Sequence, residues 1–146
     1  MNGKVESVNL SKDKGTKKSP VFEASLIKDH GFDGDAHASS QWHRQVSLLA
    51  LESIEKMRAK GLKVGPGDFA ENITTSGLEL TVLKIGTILK IGENIEVEVS
   101  QIGKECHDRC EIYHQAGDCV MPREGIFVTV IEGGKIRKGM DISVLK

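Results

Sequence analysis

The chain has 146 residues and a mass of 15.9 kDa, which fits one domain over residues 1–146 rather than two. Hydrophobic residues make up 38% and charged residues 28%, enough apolar material for a core and too much for a disordered tail. With 20 cationic against 21 anionic side chains there is no global basic excess to hold nucleic acid, and 4% aromatics are too few for a base-stacking platform.

The opening residues lack the cationic-then-apolar order of a signal peptide. No apolar run approaches the roughly 20 residues of a membrane span. The expected setting is therefore the cytoplasm, with no membrane partner. Three cysteines are an odd number, and in a reducing compartment thiols stay free unless they bind metal or do chemistry. Sixteen Gly against three Pro favour tight turns between short strands.

Residues 3–10 and 21–27 read as extended segments. Between them, the lysine-rich stretch 11–20 is polar, contains Gly15 and ends in Pro20, so it reads as a loop. Leu51, Ile54, Met57 and Arg58 recur at helical spacing, with Glu52, Glu55, Lys56 and Lys60 on the other face. The predicted helix spans residues 49–60, with Gly61 as its left-handed cap. Strands follow over residues 80–85, 87–91 and 95–101, then 125–131 and 140–145, with Gly133-Gly134 as a turn. About seven or eight short strands and one clear helix predict a mainly β, barrel-like domain with a few short peripheral helices.

Four constellations carry chemistry. Cys106-His107-Asp108-Arg109-Cys110, with Cys119 beyond, lies between two predicted strands. Arg109 and Lys104 beside the thiols favour the thiolate, the nucleophilic and metal-binding form. The plainer alternative is that these cysteines are small core residues. Zinc through Cys106, His107, Cys110 and Cys119 is a weaker alternative, because C-x3-C-x8-C lacks the tight paired knuckle.

The run 31–37 brings Asp35 and His37 together, either for a ligand or simply to hold a turn; Arg44 follows, with a planar fork for carboxylate or phosphate. Gly65-Pro66-Gly67 leads into Glu71-Asn72, where Asn72 can read a heterocycle edge; a capped turn from helix to strand is the alternative. Lys14, Lys17 and Lys18 can hold phosphate as point charges, or form only a solvated face. Phosphate-loop, dinucleotide, zinc-protease and serine-hydrolase signatures are missing.

Taken in order, these pieces resemble the MOSC family, the domain at the C-terminus of molybdenum cofactor sulfurases. The matching elements are Lys17-Lys18-Ser19-Pro20-Val21, Gly34-Asp35-Ala36-His37, Arg44-Gln45-Val46-Ser47-Leu48-Leu49 and Gly67-Asp68-Phe69-Ala70-Glu71-Asn72-Ile73, then the cysteine run, Gly125-Ile126-Phe127 and Gly133-Gly134-Lys135-Ile136-Arg137-Lys138-Gly139. The likeness spans nearly the whole chain and matches the short stand-alone bacterial form.

The resemblance implies a barrel-like β fold and a link to molybdenum cofactor (molybdopterin). It implies one hallmark cysteine that ligates molybdenum in reductases or carries sulfur, as a persulfide, in sulfurases. By position Cys110 matches it, with Cys106 and Cys119 as further thiols able to resolve it. Lys14, Lys17, Lys18 and Arg44 are then the expected phosphate holders, and Asp35, His37 and Asn72 the expected pterin contacts. No aminotransferase-like domain accompanies the chain, so pyridoxal phosphate is not expected. Partners would be molybdenum cofactor biosynthesis proteins or molybdoenzymes. Three activities fit: delivery or sulfuration of the cofactor, reduction of N-hydroxylated compounds with a separate electron donor, or a non-enzymatic zinc or interaction module. The sequence is silent on oligomeric state.

Overall fold

The computed structural model describes residues 2–12, 17–36, 38–41, 43–103 and 124–145. In chain order these form β1 (Asn2–Leu10), β2 (Ser19–Val21), β3 (Glu23–Ile27), β4 (Gly31–Phe32), β5 (Val46–Ala50), α1 (Leu51–Ala59), β6 (Ile73–Ser76), a 3-10 turn (Leu80–Val82), β7 (Ile88–Ile91), β8 (Ile95–Ile102), β9 (Ile126–Glu132), β10 (Gly134–Arg137) and β11 (Asp141–Val144). The mainly β expectation holds.

Seven strands close on themselves in the order β1, β6, β5, β9, β8, β7, β11 and back to β1. Closure removes the free edges that an open sheet would present. Neighbouring strands are antiparallel except β5 and β6, which run parallel and are joined across α1. A second sheet, β10-β3-β4, lies beside the barrel.

Strand alternation sorts the side chains. In β8, Ile95, Val97 and Val99 are buried while Glu96, Glu98 and Ser100 are only half-buried. The barrel interior is filled by residues such as Val5, Val46, Leu48, Ile73, Leu89, Val97, Ile126 and Val128. Strand β5 is buried throughout because α1 covers its outer face. There Leu49, Ile54, Met57, Phe69 and Phe127 make a second, smaller core.

Five expectations need correction. The helix starts at Leu51, because Leu49 and Ala50 belong to β5. The stretch 80–85 is not a strand: Leu80 and Leu83 are both buried, three residues apart, and Val82 is exposed, which is the period of a 3-10 turn. Residues 21–27 are split at Phe22, since β2 pairs with β1 whereas β3 pairs with β10. Gly134 is not only a turn residue but opens β10. Strands β4, β5 and β6 were not anticipated, so the described residues hold eleven strands rather than seven or eight.

Candidate functional site

The three cysteines, with Lys14 and His37, lie outside the described residues. The two ends of the stretch that carries the cysteines are described. Strand β8 runs to Ile102, which pairs with Ile126 at the start of β9, and the Gly103 N–H donates to the Gly125 carbonyl at 2.7 Å. Glu124 is tied to α1: its Oε1 accepts from the Ser53 hydroxyl at 2.7 Å and from Lys56 Nζ at 3.0 Å. The root of the cysteine stretch is thus clamped to the barrel and to the helix.

Arg44 reaches this root from the residues before β5. Its Nε donates to Gln101 Oε1 at 2.8 Å, and its guanidinium lies 5.3 Å from the centre of the Phe127 ring. His43 Nε2 sits 2.7 Å from the same Gln101 oxygen. That oxygen only accepts, so His43 donates from Nε2. Gln101 in turn donates from its own Nε2 to the Gly103 carbonyl at 2.8 Å, and the Ser100 hydroxyl donates to the His43 carbonyl. A planar cation, an imidazole and a carboxamide therefore meet at an exposed to half-buried corner beside residue 103.

The Gly-Pro-Gly to Glu-Asn motif builds something different. Glu71 and Asn72 are completely buried. The Glu71 carboxylate accepts from the Gly67 N–H at 3.0 Å, the Phe69 N–H at 3.3 Å and the Thr74 hydroxyl at 2.6 Å. Burial raises its pKa above the ordinary 4.5, while the hydrogen bonds from Thr74, Gly67 and Phe69 pull it down. The Asn72 carboxamide oxygen accepts from the Ser47 N–H at 3.0 Å, and its amide donates to the Asn9 carbonyl at 3.2 Å. Asn9 also donates to Thr74 Oγ1 at 3.1 Å. Asn72 thus spends its donor and acceptor on β5 and β1, and ties these strands at the entry to β6.

Lys18 and Asp35, expected on opposite ends of a cofactor, meet each other. Lys18 Nζ is 2.8 Å from Asp35 Oδ1 and both side chains are fully buried. Lys18 also donates to the Ser11 hydroxyl at 3.0 Å, and Asp35 accepts from the Ser11 N–H at 3.0 Å. This pair pins the loop after β1 to the turn after β4. Gly67 makes the same region close-packed: with φ +88°, a Cβ there would sit 2.1 Å from the Lys18 carbonyl oxygen. Lys17 remains exposed.

Of the seven residues expected to hold a cofactor, Lys18, Asp35 and Asn72 are joined in buried structure, Arg44 and Lys17 reach solvent, and Lys14 and His37 are not described. Gln101 and Glu124 were missed. Gln101 shows in the sequence only as a polar residue at the end of an alternating strand, and nothing in the pattern links it to Arg44.

A small closed β barrel, with a cysteine-bearing connection between two adjacent strands and a cation at its root, defines the class of protein. The MOSC domain model matches residues 30–143, and the chain belongs to the MOSC domain family. The YuaD protein of Bacillus subtilis superposes with a TM-score of 0.82 at 18% identity, covering 99% of this chain and 96% of that one. YiiM of Geobacillus stearothermophilus gives 0.73 at 21% identity, covering 99% and 75%. YiiM of Escherichia coli gives 0.68 at 21% identity, covering 100% and 70%. These likenesses bear on the fold. No curated protein sequence matches the chain. No helix among the described residues is long and apolar enough to cross a membrane, and those residues contain no cluster of His, Cys, Asp and Glu able to hold a metal ion.

Proposed function

We propose that this chain handles molybdenum cofactor, delivering or sulfurating it through a reactive cysteine, at the corner where Arg44, His43 and Gln101 meet the root of the cysteine stretch. The observation that carries this reading is the pair of hydrogen bonds at Gln101, which link the Arg44 guanidinium to residue 103, next to the cysteine-bearing residues. The donor set suits the cofactor's ends. Arg44 is a fixed, planar, permanently charged group suited to a phosphate. His43 and Gln101 offer polar contacts to a pterin edge. Cys110, as thiolate, is a soft donor for a metal or a nucleophile toward sulfur, with Cys106 and Cys119 as neighbouring thiols. When bound, the cofactor would supply a metal centre that accepts a thiolate ligand. Lys17 is left for long-range attraction of the phosphate. The protein exchanging cofactor with this chain would be a biosynthesis protein or a molybdoenzyme.

The test is molybdenum and pterin content after oxygen-free purification from a host that makes the cofactor, wild type beside Cys110→Ala. Both molybdenum and pterin are expected in the wild type, with metal lost from the variant. Absence of both from the wild type would overturn the reading.

A further inference from the structure

The edge of β1 changes partner along its length. Residues 2–4 pair with β11 and residues 8–10 with β2. Between the two pairings opens a groove of about 460 Å³, lined by Glu6, Pro20, Phe22, Pro66, Arg137 and Lys138 among others. In the ring of seven strands, β1 stands opposite the β8–β9 pair. The groove and the ends of the cysteine stretch therefore lie on opposite sides of the barrel.

Two features of this groove are unexplained by the fold. Phe22 is 84% exposed, although a large ring gains by burial. Arg137 and Lys138 have no carboxylate partner among the described residues, whereas Lys135 on the same strand lies 3.7 Å from Glu23. The one acid in the groove, Glu6, accepts from the Ser76 hydroxyl at 3.1 Å, on the side of β6. The two cations sit on a turn fixed to β1: the Gly139 N–H donates to the Val5 carbonyl at 2.7 Å and the Val5 N–H donates to the Met140 carbonyl at 2.9 Å. Gly139, with φ +95°, makes that turn possible. The backbone that carries the two cations is thus anchored to β1, while their side chains stay exposed.

We propose that this groove binds a small organic anion, an aromatic body carrying a phosphate or carboxylate. The body packs on Phe22, Pro20 and Pro66, and the anion lies at Arg137 and Lys138. The volume falls in the range of small-molecule sites. The site is independent of the corner at Arg44.

Titration of the whole protein with phenyl phosphate and with phenylacetate, followed by amide chemical shifts in 1H–15N spectra, tests this. Inorganic phosphate and benzyl alcohol are the controls. Saturable shifts are expected at the amides of Val21, Phe22 and residues 137–139 with at least one of the two aryl anions, and the tighter of the two names the preferred anion. Arg137→Glu should weaken binding by about tenfold or more, and Phe22→Ala should weaken the aryl anions but not inorganic phosphate. Both residues are exposed, so the fold should survive, which the same spectra report. Three results would overturn the proposal: no saturable shifts with either aryl anion, shifts that Arg137→Glu leaves unchanged, or inorganic phosphate binding as tightly as phenyl phosphate.

Discussion

Two polar regions draw on the same set of strands, and they differ in where their hydrogen bonds go. Around Asn9, Glu71, Asn72 and the Lys18–Asp35 pair, the groups are buried and bond to one another or to nearby backbone. Around Arg44, His43 and Gln101 the groups reach solvent and stand at the root of the cysteine stretch. Each region holds a cation and a carboxamide, and the buried one adds the carboxylates of Asp35 and Glu71. A lysine and an aspartate look like ligand contacts until each is found holding the other in a place that water does not reach. The first region ties strands and loops together out of reach of water, and the second reaches solvent.

The widest gap between the regions should appear on breaking the buried ion pair. Lys18→Met leaves Asp35 buried without its cation and should cost about 3–5 kcal/mol in denaturant unfolding. Replacing both, Lys18→Met with Asp35→Leu, should recover most of that loss, because no lone charge is left. If the single and double variants are equally destabilised, the pair is not what holds this region.

Asn72→Ala should cost about 2–3 kcal/mol, because the Ser47 N–H and the Asn9 carbonyl each lose a partner in a buried place. Equal stability of wild type and variant would mean that Asn72 serves a ligand rather than the strands.

A smaller effect is expected from Glu71, and it depends on pH. Its folded pKa is raised above 4.5 by burial, so the folded chain holds this proton more tightly than the unfolded one. The stability linked to that proton is full below pH 4.5 and is lost as pH rises through the folded value. The stability difference between wild type and Glu71→Gln should therefore fall as pH is raised from 4.5, measured by urea unfolding across a pH series. A difference that grows over the same range would contradict a raised pKa.

The least effect on stability should come from the open corner. Arg44→Ala removes a partly exposed cation over Phe127 and should cost no more than about 1 kcal/mol. A loss as large as that of Lys18→Met would erase the distinction between the two regions.

Much of the barrel was legible because alternation leaves its mark: Ile95, Val97 and Val99 face inward while Glu96 and Glu98 do not. The helix was legible from Ile54 and Met57 but not its start, since β5 passes into α1 with no Gly or Pro between Ala50 and Leu51. Strand β6 was hidden because the polar motif before it runs straight on into Thr74 and Thr75, hydroxyl side chains that are nonetheless buried. The site was legible only as residue types. Lys18 and Asp35 are 17 residues apart, and no local pattern pairs them. Arg44 and Gln101 are brought together only by the β5–β9–β8 pairing.

The most direct test sets cofactor retention against stability in two proteins, Arg44→Ala and the Lys18→Met/Asp35→Leu double variant. Each would be purified without oxygen from a cofactor-making host and measured for pterin content and unfolding free energy. The account predicts near wild-type stability with pterin lost for Arg44→Ala, and pterin kept by the double variant. Pterin kept by Arg44→Ala and lost from a folded double variant would contradict it, and would move the cofactor to the buried pair.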